Sequence, residues 1–382
     1  MLAAGTLAQA GFSALTVGLA VIAPQLREEF GLSLGEVGTL LSAAWLGAFL
    51  TLLPWGFAAD RYGERLVLSL GLFASAACLV GAAFSTSFGL LLGLLGLTGA
   101  TGASVNAASG RAVMFWFSPS ERGLALGIRQ TAIPAGALVA ALSLPPLAAA
   151  GGSQAAFLFL AGLVAIGAGG GLLVLRDRKD AEAPEAQSVV RTLRDARLWR
   201  LSLASGLYLY AQVAVIGFGV LFLHDTHGLS DQDAALVIAV AQALAVGLRI
   251  AAGRWSDRSR SRIGPLRKIG LGAMGSVALV AVLAAGSLWL LVPALAAAGA
   301  LSMAWNGLSF TAVAELAGAA RSGVALGFEQ TVLSGVLVLA PILFAESVSS
   351  GSWAFAFGVA ALLPLAGSLS LRSLCGHQLT KS

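Results

Sequence analysis

The chain has 382 residues, 58% of them hydrophobic and only 11% charged, against about 25% charged in an ordinary soluble domain. That shortage of polar residues excludes a water-soluble fold and a disordered chain, and 48 glycines without a three-residue period exclude collagen. A formal charge of +5 says little about nucleic acid here, because the position of the cations matters more than their sum.

With a mean hydropathy of +0.87, the chain reads as an integral membrane protein. A helix needs about 20 apolar residues to cross a bilayer. Breaks in the apolar runs predict twelve spans, at residues 5–25, 37–59, 66–84, 88–112, 122–148, 153–175, 199–223, 233–253, 267–286, 288–314, 321–346 and 351–371. The first run lacks a convincing cleavage site and is expected to be retained as a helix. The break between spans nine and ten, at Gly286-Ser287, is the narrowest. Cys78 lies in an apolar run and Cys375 near the C-terminus, so no structural disulfide is expected.

One long polar loop interrupts the series. It divides the chain into an N-terminal six-helix bundle (1–175), a cytoplasmic linker (176–198) and a C-terminal six-helix bundle with a short tail (199–382). If the N-terminus is inside, the inner loops hold 19 of the 23 Lys and Arg residues and the outer loops hold only Arg27. This bias predicts a multi-pass protein of the inner (cytoplasmic) membrane with both termini cytoplasmic.

The halves repeat each other. At an offset of 197, Gly31-Leu32-Ser33 matches Gly228-Leu229-Ser230, and Gly56, Asp60 and Arg61 match Gly253, Asp257 and Arg258. At an offset of 200, Asn106 matches Asn306 and Gln130-Thr131 matches Gln330-Thr331. A duplicated unit with an even number of spans gives a pseudo-two-fold axis along the membrane normal. The expected fold class is therefore an all-α membrane protein, with twelve transmembrane helices in two pseudo-symmetric six-helix bundles.

The loop after span two reads Gly56-Phe-Ala-Ala-Asp60-Arg61-Tyr-Gly63-Glu64-Arg65. Gly56 and Gly63 would permit close helix approach and a tight turn. Asp60, at a helix end, could face a neighbouring helix N-terminus or an arginine such as Arg111. The plain alternative is that these charges only orient the chain at the membrane surface. The stretch resembles the loop signature of the major facilitator superfamily, Gly-x-x-x-Asp-Arg-x-Gly followed by two basic residues. Glu64 departs from it. Gly253-Arg-Trp-Ser-Asp257-Arg258 is a degenerate second copy. The resemblance covers the whole chain and implies a secondary transporter in which Gly56, Asp60, Arg61, Gly63, Arg65, Arg111, Gly253, Asp257 and Arg258 serve gating. It says almost nothing about substrate.

Ionisable groups inside a membrane are costly and face a cavity or a partner. Three stand out. Arg249 lies eight residues before Asp257 in span eight, roughly 12 Å from the loop. Its surroundings are similar to the eighth helix of oxalate/formate antiporters and monocarboxylate transporters, which implies that Arg249 binds a substrate carboxylate. A guanidinium suits that task because its fork is bidentate and permanently charged. Monocarboxylate transporters carry an Asp one turn earlier where this chain has Ala245, so their proton-coupling pair does not carry over. Arg129 and Glu329 stand at equivalent places in spans five and eleven, each followed by Gln-Thr. Arg129 is expected to bind an anion and Glu329 to carry a coupling proton; alternatively Glu329 forms a buried salt bridge with Arg249 or Arg129. Neutral candidates for substrate contact are Asn106, Asn306, Gln130, Gln330, Tyr208 and Gln212, any of which could instead join helices.

No Walker-type loop and no nucleophile-base motif appears, and no cofactor is expected. His224 and His227, with Asp225 between them, lie in an outer loop with no further strong ligand nearby, so no metal is expected there either. The expected activity is not enzymatic. It is transport of a small organic anion by alternating access, as an antiporter or symporter with protons or a counter-substrate, by a monomer in the lipid bilayer with no nucleic-acid partner. The rivals are a hydrophobic drug efflux pump and a non-transporting membrane sensor of the same fold.

Overall fold

The computed structural model describes residues 2–106, 108, 129–175, 186–259, 261–318 and 321–377. Among these residues it contains helices and turns but no strand. The first helices are α1 (Leu2–Val21), α2 (Ala23–Phe30), α3 (Leu34–Tyr62), α4 (Glu64–Ala83) and α5 (Phe88–Gly102). After them come α6 (Ala132–Val174), α7 (Ala186–Arg194) and α8 (Ala196–Gln212). A π-helical segment, Val213–Gly217, joins α8 to α9 (Phe218–His227). The rest are α10 (Asp231–Arg258), α11 (Ile263–Leu283), α12 (Leu288–Met303), α13 (Asn306–Ala317), α14 (Ser322–Ser350) and α15 (Trp353–Ser370).

Eleven helical stretches are long and apolar enough to cross a membrane, counted over the described residues. One of them, α6, has 43 residues, about 65 Å of helix against a hydrocarbon core of about 30 Å. It is two crossings. The helix breaks where Gly152 takes a φ of 65°, a conformation that glycine adopts without steric cost. The Glu29 carboxylate then accepts the Ser153 backbone N–H at 2.9 Å, satisfying one of the donors left over at the start of the second limb. The count of twelve from the apolar runs is thus met, and the narrow break at Gly286-Ser287 is a turn between α11 and α12. The end of the fourth span and the start of the fifth, with Arg111, lie outside the described residues.

The duplicated Gly-Leu-Ser triplet is one turn used twice. Gly31 and Gly228 both have a φ of 63°, the left-handed stop of the preceding helix. Ser33 then caps α3 in a reciprocal box with Glu36, and Ser230 accepts the Asp233 backbone N–H at 3.1 Å while donating to its carboxylate at 2.7 Å.

The chain divides into two compact units, Met1–Ala183 with Leu223–Ala239, and Pro184–Phe222 with Val240–Ser382. In the first, α1 lies along α6 and α3 lies along α5. The α3–α5 contact is made by bare backbone, because a methyl group on Gly99 would overlap the Ala44 carbonyl. Thr51 and Trp55 both donate to the Ala100 carbonyl across the same seam, at 2.7 and 2.6 Å. Lipid is as apolar as the helix faces, so close packing and such bonds hold the helices together. Gly99→Ala is therefore expected to destabilise the purified protein by about 1–3 kcal/mol, the usual cost of overpacking. Gly93→Ala, where an added methyl meets nothing within 4 Å, should leave the melting temperature almost unchanged. Equal melting temperatures for the two variants would contradict this account of the seam.

In the second unit, α8 runs through the middle and packs on α13, α14 and α15. Its Tyr208 is 1% exposed, packed against Gly270 of α11, and bonded through its hydroxyl to Ser368 at 3.0 Å.

Candidate functional site

The second unit holds a polar network built at two helix breaks. α12 ends at Met303, and α13 begins at Asn306 after a turn, so the Met303 carbonyl is one of the acceptors left over at a helix C-terminus. Arg249 of α10 donates to it through Nε at 2.9 Å. A cation at that end also opposes the negative pole of the helix dipole. The Asn306 amide donates to the same carbonyl at 3.1 Å and to Gln212 Oε1 at 3.2 Å. Gln212 closes α8 just before the π-helical segment, a distortion that often marks functional sites. Two of the expected residues, Arg249 and Asn306, thus meet at one backbone carbonyl, and Asn306 joins a third, Gln212, to them.

The second feature is Glu329 on α14, with no exposed surface. It hydrogen-bonds Ser309 Oγ of α13, and Ser309 Oγ lies 2.5 Å from Ser205 Oγ of α8. Glu329 Oε2 has no hydrogen-bond partner. No ion pair forms at Glu329 among the described residues, so its surroundings there are hydroxyl groups and hydrocarbon rather than the salt bridge allowed for from sequence. An isolated buried carboxylate is expensive to ionise, which ties its occupancy by a proton to its surroundings. Gln330, next to it, is half-buried. Tyr208 does not join Gln212, one turn away. Its hydroxyl is taken by Ser368, and it serves packing.

In the first unit, Arg129 donates through Nη2 to Gln9 Oε1 of α1 at 3.1 Å. Gln9 is buried, while Arg129, Gln130 and Asn106 are half-buried.

Ser309, Ser205 and Gln9 were not among the sequence candidates. Ser309 follows Asn306 by three residues and Ser205 precedes Gln212 by seven, spacings that keep each pair on one helix face. Gln242 was also passed over. It lies two turns before Arg249 on α10, is wholly buried, and neither of its amide atoms has a hydrogen-bond partner.

The signature loop is ordered by Gly63, whose φ of 88° separates α3 from α4. The expectation that Gly56 permits close helix approach needs correcting. Among the described residues, a methyl group at Gly56, or at Gly253 in the second copy, would meet nothing within 4 Å. Glu64, the departure from the signature, opens α4 and is 2% exposed. A carboxylate in the first turn of a helix is favoured by the dipole, where a basic residue would not be. Arg61 and Arg65 are exposed, and Arg61 lies 5.5 Å from the Tyr62 ring centroid. Nothing is described of the Asp60 side chain. In the second copy, Arg258 is exposed. Asp257 pairs with Arg262 at 2.5 Å, and Arg262 also binds Glu315 at 3.0 Å, joining the ends of α10 and α13. Neither Arg262 nor Glu315 carries a spacing signal in the sequence.

The profile of the Major Facilitator Superfamily matches residues 2–341. The chain belongs to this superfamily. It is 33% identical over 353 residues to an uncharacterized transporter of this type, Rv2994 of Mycobacterium tuberculosis, covering 91% of this chain and 79% of that one. It is 26% identical to the probable sulfoacetate transporter SauU of Cupriavidus necator, covering 93% and 88%. Among solved structures, it resembles a bacterial homolog of the human lysosomal transporter Spinster, in an inward-facing and unoccupied conformation, with a TM-score of 0.77 at 18% identity, covering 99% and 95%. That likeness concerns the fold. This superfamily member is a multi-pass membrane transporter of small molecules.

Proposed function

We propose that the chain is a secondary active transporter that moves a small organic anion, above all a carboxylate, across the inner membrane with both termini cytoplasmic. The bundles 1–175 and 199–382 are the halves that alternate. The observation that carries the anion assignment is the fixing of Arg249 on the Met303 carbonyl beside the Asn306 and Gln212 amides. A permanent cation deep in a span, set among amide groups, suits a carboxylate. The substrate named for the Cupriavidus relative, sulfoacetate, is itself a small organic anion. Gln330 is proposed to add to this group and Glu329 to bind the coupling proton, and Arg129, Gln130 and Asn106 are the substrate contacts proposed within the first unit. The test is a thermal-shift screen of the purified protein against organic anions, followed by counterflow of any hit in proteoliposomes. Stabilisation without counterflow would point to a sensor. Transport of neutral or cationic hydrophobic compounds, indifferent to Arg249, would point to drug efflux.

The gating role proposed for the signature loop has its own test. Asp60→Asn should insert and fold normally but transport about 5- to 150-fold more slowly, the range set by a coupling energy of about 1–3 kcal/mol. Wild-type rates in that variant would leave the loop with only its topogenic charges.

A further inference from the structure

At one end of the second unit lies an open cleft of about 570 Å³, lined by Arg191, Arg194, Asp195, Ala196, Arg197 and Arg321. Four guanidinium groups face one carboxylate. Asp195 is already committed. It caps α8 through the Arg197 backbone N–H at 3.1 Å and holds the Arg197 guanidinium at 3.1 and 3.0 Å. The Arg197 side chain keeps the Asp195 carboxyl below its ordinary range, so this pair stays ionised and neutral as a unit. The side chains of Arg191, Arg194 and Arg321 make no hydrogen bond or ion pair among the described residues. Asp195 also attracts Arg321 at longer range, so four guanidinium groups share one carboxylate, an excess of three positive charges among the described residues of the cleft.

The wall beside them is apolar and anchored. α7 packs on α14. The Trp199 indole donates to the Leu193 carbonyl at 2.9 Å and meets the Phe328 ring edge-on at 4.6 Å. Val190 and Leu193 of α7 are nevertheless exposed, at 46% and 50%. The cleft sits where two membrane-crossing stretches, Ala196–His227 and Val324–Ser350, begin, which is the level of the lipid headgroups. A short amphipathic helix with basic and apolar faces lies naturally in that interface. Clustered arginines there attract acidic headgroups.

We propose that this cleft binds the phosphate headgroup of an anionic phospholipid, with Arg191, Arg194 and Arg321 on the phosphate and Val190 and Leu193 against its acyl chains. The assignment requires only that α8 and α14 begin at the membrane surface, and it stands independently of the transported substrate. Commitment to a lipid rather than to a free phosphate rests on the exposed apolar side chains next to the cations. The chain's own candidates for the cleft are the acids of the linker, Asp177, Asp180, Glu182 and Glu185.

The test uses the full chain purified in neutral detergent. Its thermal unfolding is followed with added phosphatidylglycerol, with phosphatidylcholine of the same acyl chains, and with inorganic phosphate. Phosphatidylglycerol should raise the melting temperature by roughly 3 °C or more near saturation, while the other two should not. The triple variant Arg191→Gln/Arg194→Gln/Arg321→Gln should need at least about tenfold more phosphatidylglycerol for the same shift, from loss of charge-assisted contacts. Arg254→Gln, which removes an exposed cation outside the cleft, should respond to phosphatidylglycerol as wild type does. If the triple variant does not fold, single Arg321→Gln and Arg194→Gln variants carry the same comparison. An equal response to phosphatidylcholine or to inorganic phosphate, a wild-type response in the variants, or no response until the linker acids are neutralised would each overturn the proposal.

Discussion

Glu329→Gln is expected to abolish accumulation of substrate against its gradient while leaving exchange of labelled for unlabelled substrate intact. The replacement is gentle. Glutamine has the shape of the buried carboxyl group, and its amide oxygen can still accept the Ser309 hydroxyl bond that Glu329 accepts now. Only the capacity to bind and release a proton is lost. With one proton moved per substrate, a gradient of one pH unit sustains roughly tenfold accumulation, since each unit is worth about 1.36 kcal/mol. The variant should fall to no accumulation at all. The measurement is uptake into proteoliposomes with and without an imposed pH gradient, beside counterflow without one. Unaltered gradient-driven uptake would assign Glu329 to structure, and a wild type indifferent to pH would make the protein an exchanger.

Arg249→Lys should weaken binding of an anionic substrate, and Arg249→Ala should weaken it further. Lysine retains the charge but loses the planar fork. Alanine loses both, and removing a charge-assisted bond costs about 1.5–3 kcal/mol, or roughly 10- to 150-fold in affinity. The structure adds a second consequence. Arg249 Nε is one of two donors on the Met303 carbonyl at the end of α12, the Asn306 amide being the other, so alanine also removes a buried hydrogen bond without orphaning the acceptor, which costs about 0.5–1.5 kcal/mol of stability. The two roles separate experimentally. Substrate affinity measured on folded protein reports the first, and the melting temperature without substrate reports the second. In a background free of Cys78 and Cys375, saturating anion should protect an Arg249→Cys variant from a thiol reagent. Normal affinity in poorly folding Arg249→Ala protein would sink the organic-anion assignment.

The number of crossings and the internal repeat were legible in the amino-acid sequence, and for the same reason. The bilayer allows no unsatisfied backbone and few charges in its core, so apolar run length alone counts the helices. The Gly31-Leu32-Ser33 and Gly228-Leu229-Ser230 triplets encode a local turn whose geometry depends only on nearby atoms, and both fold to the same φ. The deep charges were legible too, because a lone Arg or Glu in an apolar run is conspicuous by its cost. Their partners were not. Arg249 finds a backbone carbonyl 54 residues away, exposed by a helix break that no residue type announces. Glu329 finds a serine on another helix, and serine is common enough in membrane helices to carry no signal by itself. Tyr208 and Gln212 share a helix face, yet one serves packing against Ser368 and the other the polar network. Gly56 suggested close packing from the motif, but among the described residues nothing approaches it. Local chain chemistry and the solvent set the helices and their turns, whereas the partner of each polar side chain depends on how distant helices meet, which only the tertiary structure decides.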